Sequence, residues 1–414
     1  MTPTALVAGA VAVGVPLLFL YLVRRLDLYA SGGFPVVVAC FLAGIASFGL
    51  AFKLNTWAYH LLKAEDLASF AQPMSQGLLG ILGVFGLSGL AAGLLIRIAV
   101  APVVEEVGKS LALVIFTFSP AFTYFVDGAI YGFAAGTGFA VVENLFYVAQ
   151  ANDQMGMAVN RVFSTALMHG SASALVGIAL GRLRFGRGRT RFFSLILGWL
   201  AAIALHIAFN RLVNNPDGVT PTTLLLAIGV GFAGVATTAG FILWGLREER
   251  EWLRETLGLD TTGVSASESN IVQEMKDLGK LLEPLETHFG AEKRKLSERF
   301  IRLQAQLGIK TKAAALAESP ALSAKMSKQA DDIREEMDGL RREVGVYCMA
   351  YLRSILPPEA SPMWEGLQKT MDERPKGAPA MSLWATLGEK ADAVEADGPA
   401  PGGGAPATEE DDDS

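Results

Sequence analysis

Charge is scarce in this sequence: Asp, Glu, Lys and Arg make up 18% of its 414 residues, where a soluble domain carries about a quarter. Cysteine occurs twice, as Cys40 within an apolar run and Cys348 far from it. Two such residues exclude a disulfide framework and a cysteine-ligated metal site. A basic excess is also missing, since the net charge is −6. Nucleic acid is therefore excluded as a partner, because the one arginine cluster lies between two apolar runs, where it reads as a topology signal. The charge that is present is unevenly divided, with +4 over residues 1–246 and −10 over the rest.

What is abundant is apolar: 51% of residues are hydrophobic and the mean hydropathy is +0.36. This composition predicts an all-α, polytopic transmembrane bundle with a soluble part attached. Eight candidate spans follow in order: residues 4–23, 33–52, 77–96, 99–118, 129–149, 162–181, 192–213 and 222–246. The first has no basic n-region or small-residue cleavage site and reads as a retained helix. Residues 53–71 mix Trp57, Tyr59 and Phe70 with Lys63, Glu65 and Asp66, which suits an interfacial helix in which His60 is solvated. The five arginines of residues 181–191 place that loop in the cytoplasm. Eight crossings then put both termini there, against which Arg24, Arg25 and Arg97 would fall outside.

A soluble region is expected over 247–390. Helical periodicity runs through Ile271, Met275, Leu278, Leu282 and Leu285, again through Leu296, Phe300, Leu303 and Leu307, and again from Ile333 to Leu352. A small helical bundle or coiled-coil hairpin follows, which reads as a module for a cytoplasmic partner or for self-association. Residues 391–414, ending in a Gly, Pro and acidic run, read as a disordered tail. His288 reads as a surface histidine.

The unusual residues are ionisable groups inside four apolar segments: Glu105, Glu106 and Lys109; Glu143; His169; and His206. A charge at the bilayer centre costs about 2.5–3.5 kcal/mol on insertion scales, so such groups face a bundle interior and have a function there. Counting residues from the span ends at 1.5 Å per residue places Glu105, Glu143, His169 and His206 roughly 10 Å below one surface, the non-cytoplasmic one. Spacing within helices adds detail. Glu105 and Lys109 are four apart and can pair, while Glu106 points about 100° away without a partner in its own helix. Phe139 with Glu143, and His206 with Asn210, also share faces. These residue types suit activation of water by a carboxylate, with histidine and amide donors for the developing oxyanion. Three other readings use the same cluster: a non-catalytic scaffold, a proton- or ion-coupled transporter, and zinc held by Glu105, Glu143, His169 and His206, although no HExxH pair is present. Asn144 is read beside Glu143 as a supporting or packing residue, and Asp127 as the start of a span.

Glu105-Glu-Val-Gly-Lys109, the segment from Phe139 to Asn144, Met168-His169-Gly170, and the segment from His206 to Asn210 resemble the EExxK, FxxxEN, H and HxxxN motifs of the PrsW family of intramembrane proteases. That family is related to the CAAX-prenyl endopeptidase and bacteriocin-immunity proteins. The resemblance covers about residues 95–215 and implies glutamate-based peptide hydrolysis without a metal, zinc dependence being the alternative. It implies Glu105 as general base with Glu106 beside it, Glu143 as a second water-positioning group, His206 and Asn210 as the oxyanion hole, His169 in support, and Lys109 closing the first motif. It further implies a bacterial inner membrane and site-1 cleavage of a membrane protein, such as an anti-sigma factor, in regulated intramembrane proteolysis.

Overall fold

The structure, a computed structural model, describes residues 2–29, 32–63, 96–186, 188–214, 220–257 and 278–354. The expected span at 77–96 and the acidic tail lie outside those residues, except for Ile96. Within them the chain is helical and no strand occurs. The helices are α1 (Pro3–Arg24), α2 (Phe34–Lys63), α3 (Ala101–Thr117, entered by a π-turn at Ile96–Val100), α4 (Phe125–Gln150), α5 (Gln154–Phe163), α6 (Thr165–Phe185), α7 (Thr190–Val213) and α8 (Pro221–Leu257). After these come a short turn at Leu278–Leu281, α9 (Glu283–Leu316), α10 (Pro320–Val344) and α11 (Val346–Ser354).

Among the described residues six helical stretches are long and apolar enough to cross a membrane: α1, α2 to His60, α4, α5 with α6, α7 from Arg191, and α8 to Leu253. The chain is a helical membrane protein. Two of these stretches form its centre, since 94% of the apolar window in α4 and 89% of that in α5 and α6 are buried, against 17–28% for the others. Glycine explains how α4 and α6 come so close. Gly128, Gly132 and Gly136 form a one-turn ladder on α4, and a Cβ on any of them would collide with the backbone of Gly177, Ser173 or His169 on α6. Small residues of this kind let helix backbones approach inside a membrane, where apolar burial alone drives no association.

The boundaries differ from the expected ones in two informative places. The α2 helix continues unbroken to Lys63 where a span and a separate interfacial helix were expected, so Asn55 belongs to the bundle. Before the expected span at 162–181, where no element was expected, lies the short helix α5, and Ser164, at φ −121° and ψ −76°, separates it from α6. Asp127 accepts from the backbone N–H of Thr123 at 2.7 Å and caps α4. This is the helix-starting role expected for it.

The α8 helix passes residue 246 without a break, and α9 packs against it. Arg184 donates to the Ser119 carbonyl at 2.8 Å, and Arg191 pairs with Glu318, so arginines of the cationic loop tie helix ends together. The apolar positions read along the C-terminal region, from Leu278 to Leu307 and from Ile333 to Leu352, are mostly buried as the α9 and α10 hairpin closes.

Candidate active site

The site begins on α3, where Glu105, Glu106 and Lys109 are all buried. Lys109 Nζ lies 2.6 Å from Glu106 Oε1, so the ion pair joins residues three apart. The expected partner, Glu105, is not used. Both spacings are neighbours on a helix surface, and the surrounding helices decide between them. From α6, His169 places Nδ1 2.9 Å from Lys109 Nζ, and from α4 the Phe139 ring lies under the ammonium with its centroid 4.6 Å away. Both contacts draw Lys109 toward Glu106.

A chain of hydrogen bonds, closed by an ion pair, extends from this pair in both directions. On one side His206 Nδ1, from α7, is 2.9 Å from Glu106 Oε1. On the other, His169 Nε2 is 2.9 Å from Glu143 Oε2, which is 2.7 Å from Arg161 Nη2. Arg161 in turn donates through Nε to Asn144 Oδ1 at 3.0 Å and stacks 4.2 Å over the Tyr147 ring. Opposite charges and donors alternate along this buried row, which keeps any one charge from being stranded.

The partners assign the tautomers. A lysine ammonium only donates, so His169 accepts at Nδ1 and carries its proton on Nε2 toward Glu143. The Glu106 carboxylate only accepts, so His206 donates from Nδ1. In neutral His206 this leaves Nε2 as a bare lone pair. That nitrogen points toward Glu105 Oε2 at 3.7 Å, and Oε2 is buried without any hydrogen-bond partner among the described residues. The other oxygen of Glu105 accepts from Asn55 Nδ2 at 3.3 Å. The His169 and His206 rings meet edge to face at 4.7 Å.

Glu105, His169 and His206 each have a potential ligand atom, all within 4.8 Å of one another. Glu105 Oε2 and His206 Nε2 are open to an ion, and His169 would join them on releasing Lys109 from Nδ1 or passing its Nε2 proton to Glu143. Two imidazoles and a carboxylate form a donor set typical of catalytic zinc. A carboxylate holding the outer nitrogen of a metal-binding histidine, as Glu106 holds His206, is the usual supporting contact. With the orphaned Glu105 Oε2, these residues fit a metal ion.

All four expected segments thus converge, and the six residues Glu105, Glu106, Lys109, Glu143, His169 and His206 form one cluster. Asn210 stands at its rim, donating to the Arg97 carbonyl at 2.8 Å. Sequence reasoning missed Arg161 and Asn55. A cavity of about 670 Å³ opens beside the cluster, lined by Glu105, Glu143, Arg161, Asn55, Asn210 and an aromatic wall of Phe48, Phe52, Phe139 and Phe146.

Comparison with known proteins decides the family. A model of the PrsW family of intramembrane metalloproteases matches residues 32–238, half of the chain. The chain belongs to the PrsW family. Among characterised relatives, Protease PrsW of Bacillus subtilis (strain 168) is 32% identical over 111 residues, which is 26% of this chain and 48% of that protein. The chain thus matches less than half of that relative's length. No solved structure matches. The description of the PrsW family as metalloproteases favours a metal over the metal-free chemistry expected above, and Glu105, His169 and His206 could hold one.

Proposed function

We propose that this PrsW-family chain is a membrane endopeptidase that hydrolyses a peptide bond of another membrane protein, with Glu105, His169 and His206 holding a zinc ion. The observation that supports it is the set of three converging donor atoms with His206 already oriented by Glu106. Bound zinc would polarise the scissile carbonyl and make a coordinated water more acidic. The rest of the chemistry is assigned to the protein's own groups. Glu143 is the general base, since its side chain is 15% exposed at the cavity wall and Arg161 holds one of its oxygens. It takes a proton from water as the water oxygen attacks the carbonyl carbon, and it returns that proton to the amine nitrogen as the C–N bond breaks. Asn210, with one amide hydrogen on Arg97, has a second to offer the carbonyl oxygen. His206 suits this oxyanion role less well than expected, because neutral His206 donates from Nδ1 to Glu106 and has no hydrogen on Nε2.

The side of cleavage follows from the arginines. His169 stands thirteen residues from Arg182 on α6, about 20 Å along the axis, so a cytoplasmic arginine loop puts the site in the opposite half of the bilayer. That position suits the first cut of regulated intramembrane proteolysis, with an anti-sigma factor as one substrate class and the C-terminal helices on the cytoplasmic side. The test is cleavage of a single-span reporter by detergent-purified protein. Chelator should stop cleavage and zinc should restore it; cleavage unchanged by chelator would remove the metal from the mechanism.

A further inference from the structure

Asn55 is outside every motif read from the sequence, yet it makes the one side-chain hydrogen bond that Glu105 receives among the described residues, from Nδ2 to Oε1 at 3.3 Å. Carboxylate oxygens only accept, so the amide can face Glu105 in this orientation alone. Its other end, Oδ1, is buried and has no partner among the described residues. Buried amide atoms kept for packing are paired at both ends; among the described residues half-buried Asn55 pairs one, and its partner is Glu105. The geometry of Glu105 agrees. With Oε1 tethered to α2, Oε2 is the oxygen left 3.7 Å from His206 Nε2, on the side where His169 also converges.

We propose that Asn55 is a positioning residue, holding Glu105 so that Oε2 is presented to the metal, as the partners of metal ligands do. This inference rests on the zinc reading above and goes beyond it, because it recruits α2 to a site whose motifs lie on α3, α4, α6 and α7. Asn55 stands one turn past Phe52, so it reaches Glu105 because α2 continues beyond the expected end of the span.

The test is zinc affinity of the full-length protein in detergent, measured by competition with a chromophoric chelator, so that no substrate is needed. Asn55→Leu and Asn55→Ala both remove the donor, one with similar bulk and one with less. Each should raise the zinc Kd about 10–100-fold. Thermal unfolding without metal should stay near that of the wild type. Thr56→Val, on the same helix with its hydroxyl on the Phe52 carbonyl, should leave the Kd unchanged. A Kd within about twofold of wild type in a folded Asn55 variant, or equal weakening by Thr56→Val, would overturn the assignment. So would a wild-type protein that binds no zinc. In that last case a reporter cut by wild type and not by Glu105→Gln would still support the hydrolase reading, so the two failures are distinguishable.

Discussion

Lys109 bonds to Glu106 at 2.6 Å and not to Glu105, which leaves Glu105 as the carboxylate of the pair with an oxygen to spare. The two glutamates, adjacent in sequence, thus have different tasks. Glu106 is structural, buried between Lys109 and His206, and Glu105 faces the cavity.

Stability should separate them. Lys109→Met strips Glu106 and His169 of a common donor, and breaking a buried pair from one side costs about 3–5 kcal/mol. Glu105→Gln loses only one long hydrogen bond and should change stability by less than about 1.5 kcal/mol. Thermal unfolding in detergent reads both. Equal losses would mean that the two glutamates share one structural role.

Arg161 fixes Glu143 through an ion pair and is itself fixed by Asn144 and Tyr147. Arg161→Met should therefore lower kcat by about 10²-fold, the scale on which a misplacement of about 1 Å acts, with a smaller change in KM. Arg161→Lys keeps the charge without the fork and should recover part of it. A KM effect with kcat intact would make Arg161 a substrate contact instead.

The close approach of α4 and α6 sets the reach from Glu143 to His169. Even Gly136→Ala puts a Cβ into the His169 backbone, so the helices must separate. A loss of about 1–3 kcal/mol is expected, with cleavage reduced by more than the folded fraction alone predicts. Unchanged activity at unchanged stability would contradict the packing described here.

Glu249, on α8, is fully buried, and neither of its carboxylate oxygens has a hydrogen-bond partner among the described residues. It follows Glu248, which pairs with Arg182 at the far end of α6 from the site. Glu249→Leu should raise stability by about 1–3 kcal/mol and leave cleavage unaltered. A loss of stability would show that Glu249 holds a partner.

Much of this was legible because the informative signals were local. A carboxylate or imidazole in an apolar run is conspicuous, and residue counts along straight helices brought four of them to one depth. What escaped depended on neighbours. The choice of Lys109 between Glu105 and Glu106 is made by His169 and Phe139 on other helices. Arg161 lay just before the expected span at 162–181, in a stretch given no element, whereas α5 there sets it against Asn144 and Glu143 of α4. Asn55 lay in a mixed stretch whose charged residues suggested an interfacial helix, whereas α2 runs through it.

The central claim is that Glu105 makes this chain a hydrolase of membrane proteins. It is tested most directly by comparing the membrane proteomes of cells expressing the wild type and Glu105→Gln at equal levels. The account predicts at least one membrane protein shortened in the wild-type cells alone; identical fragments in both would contradict it.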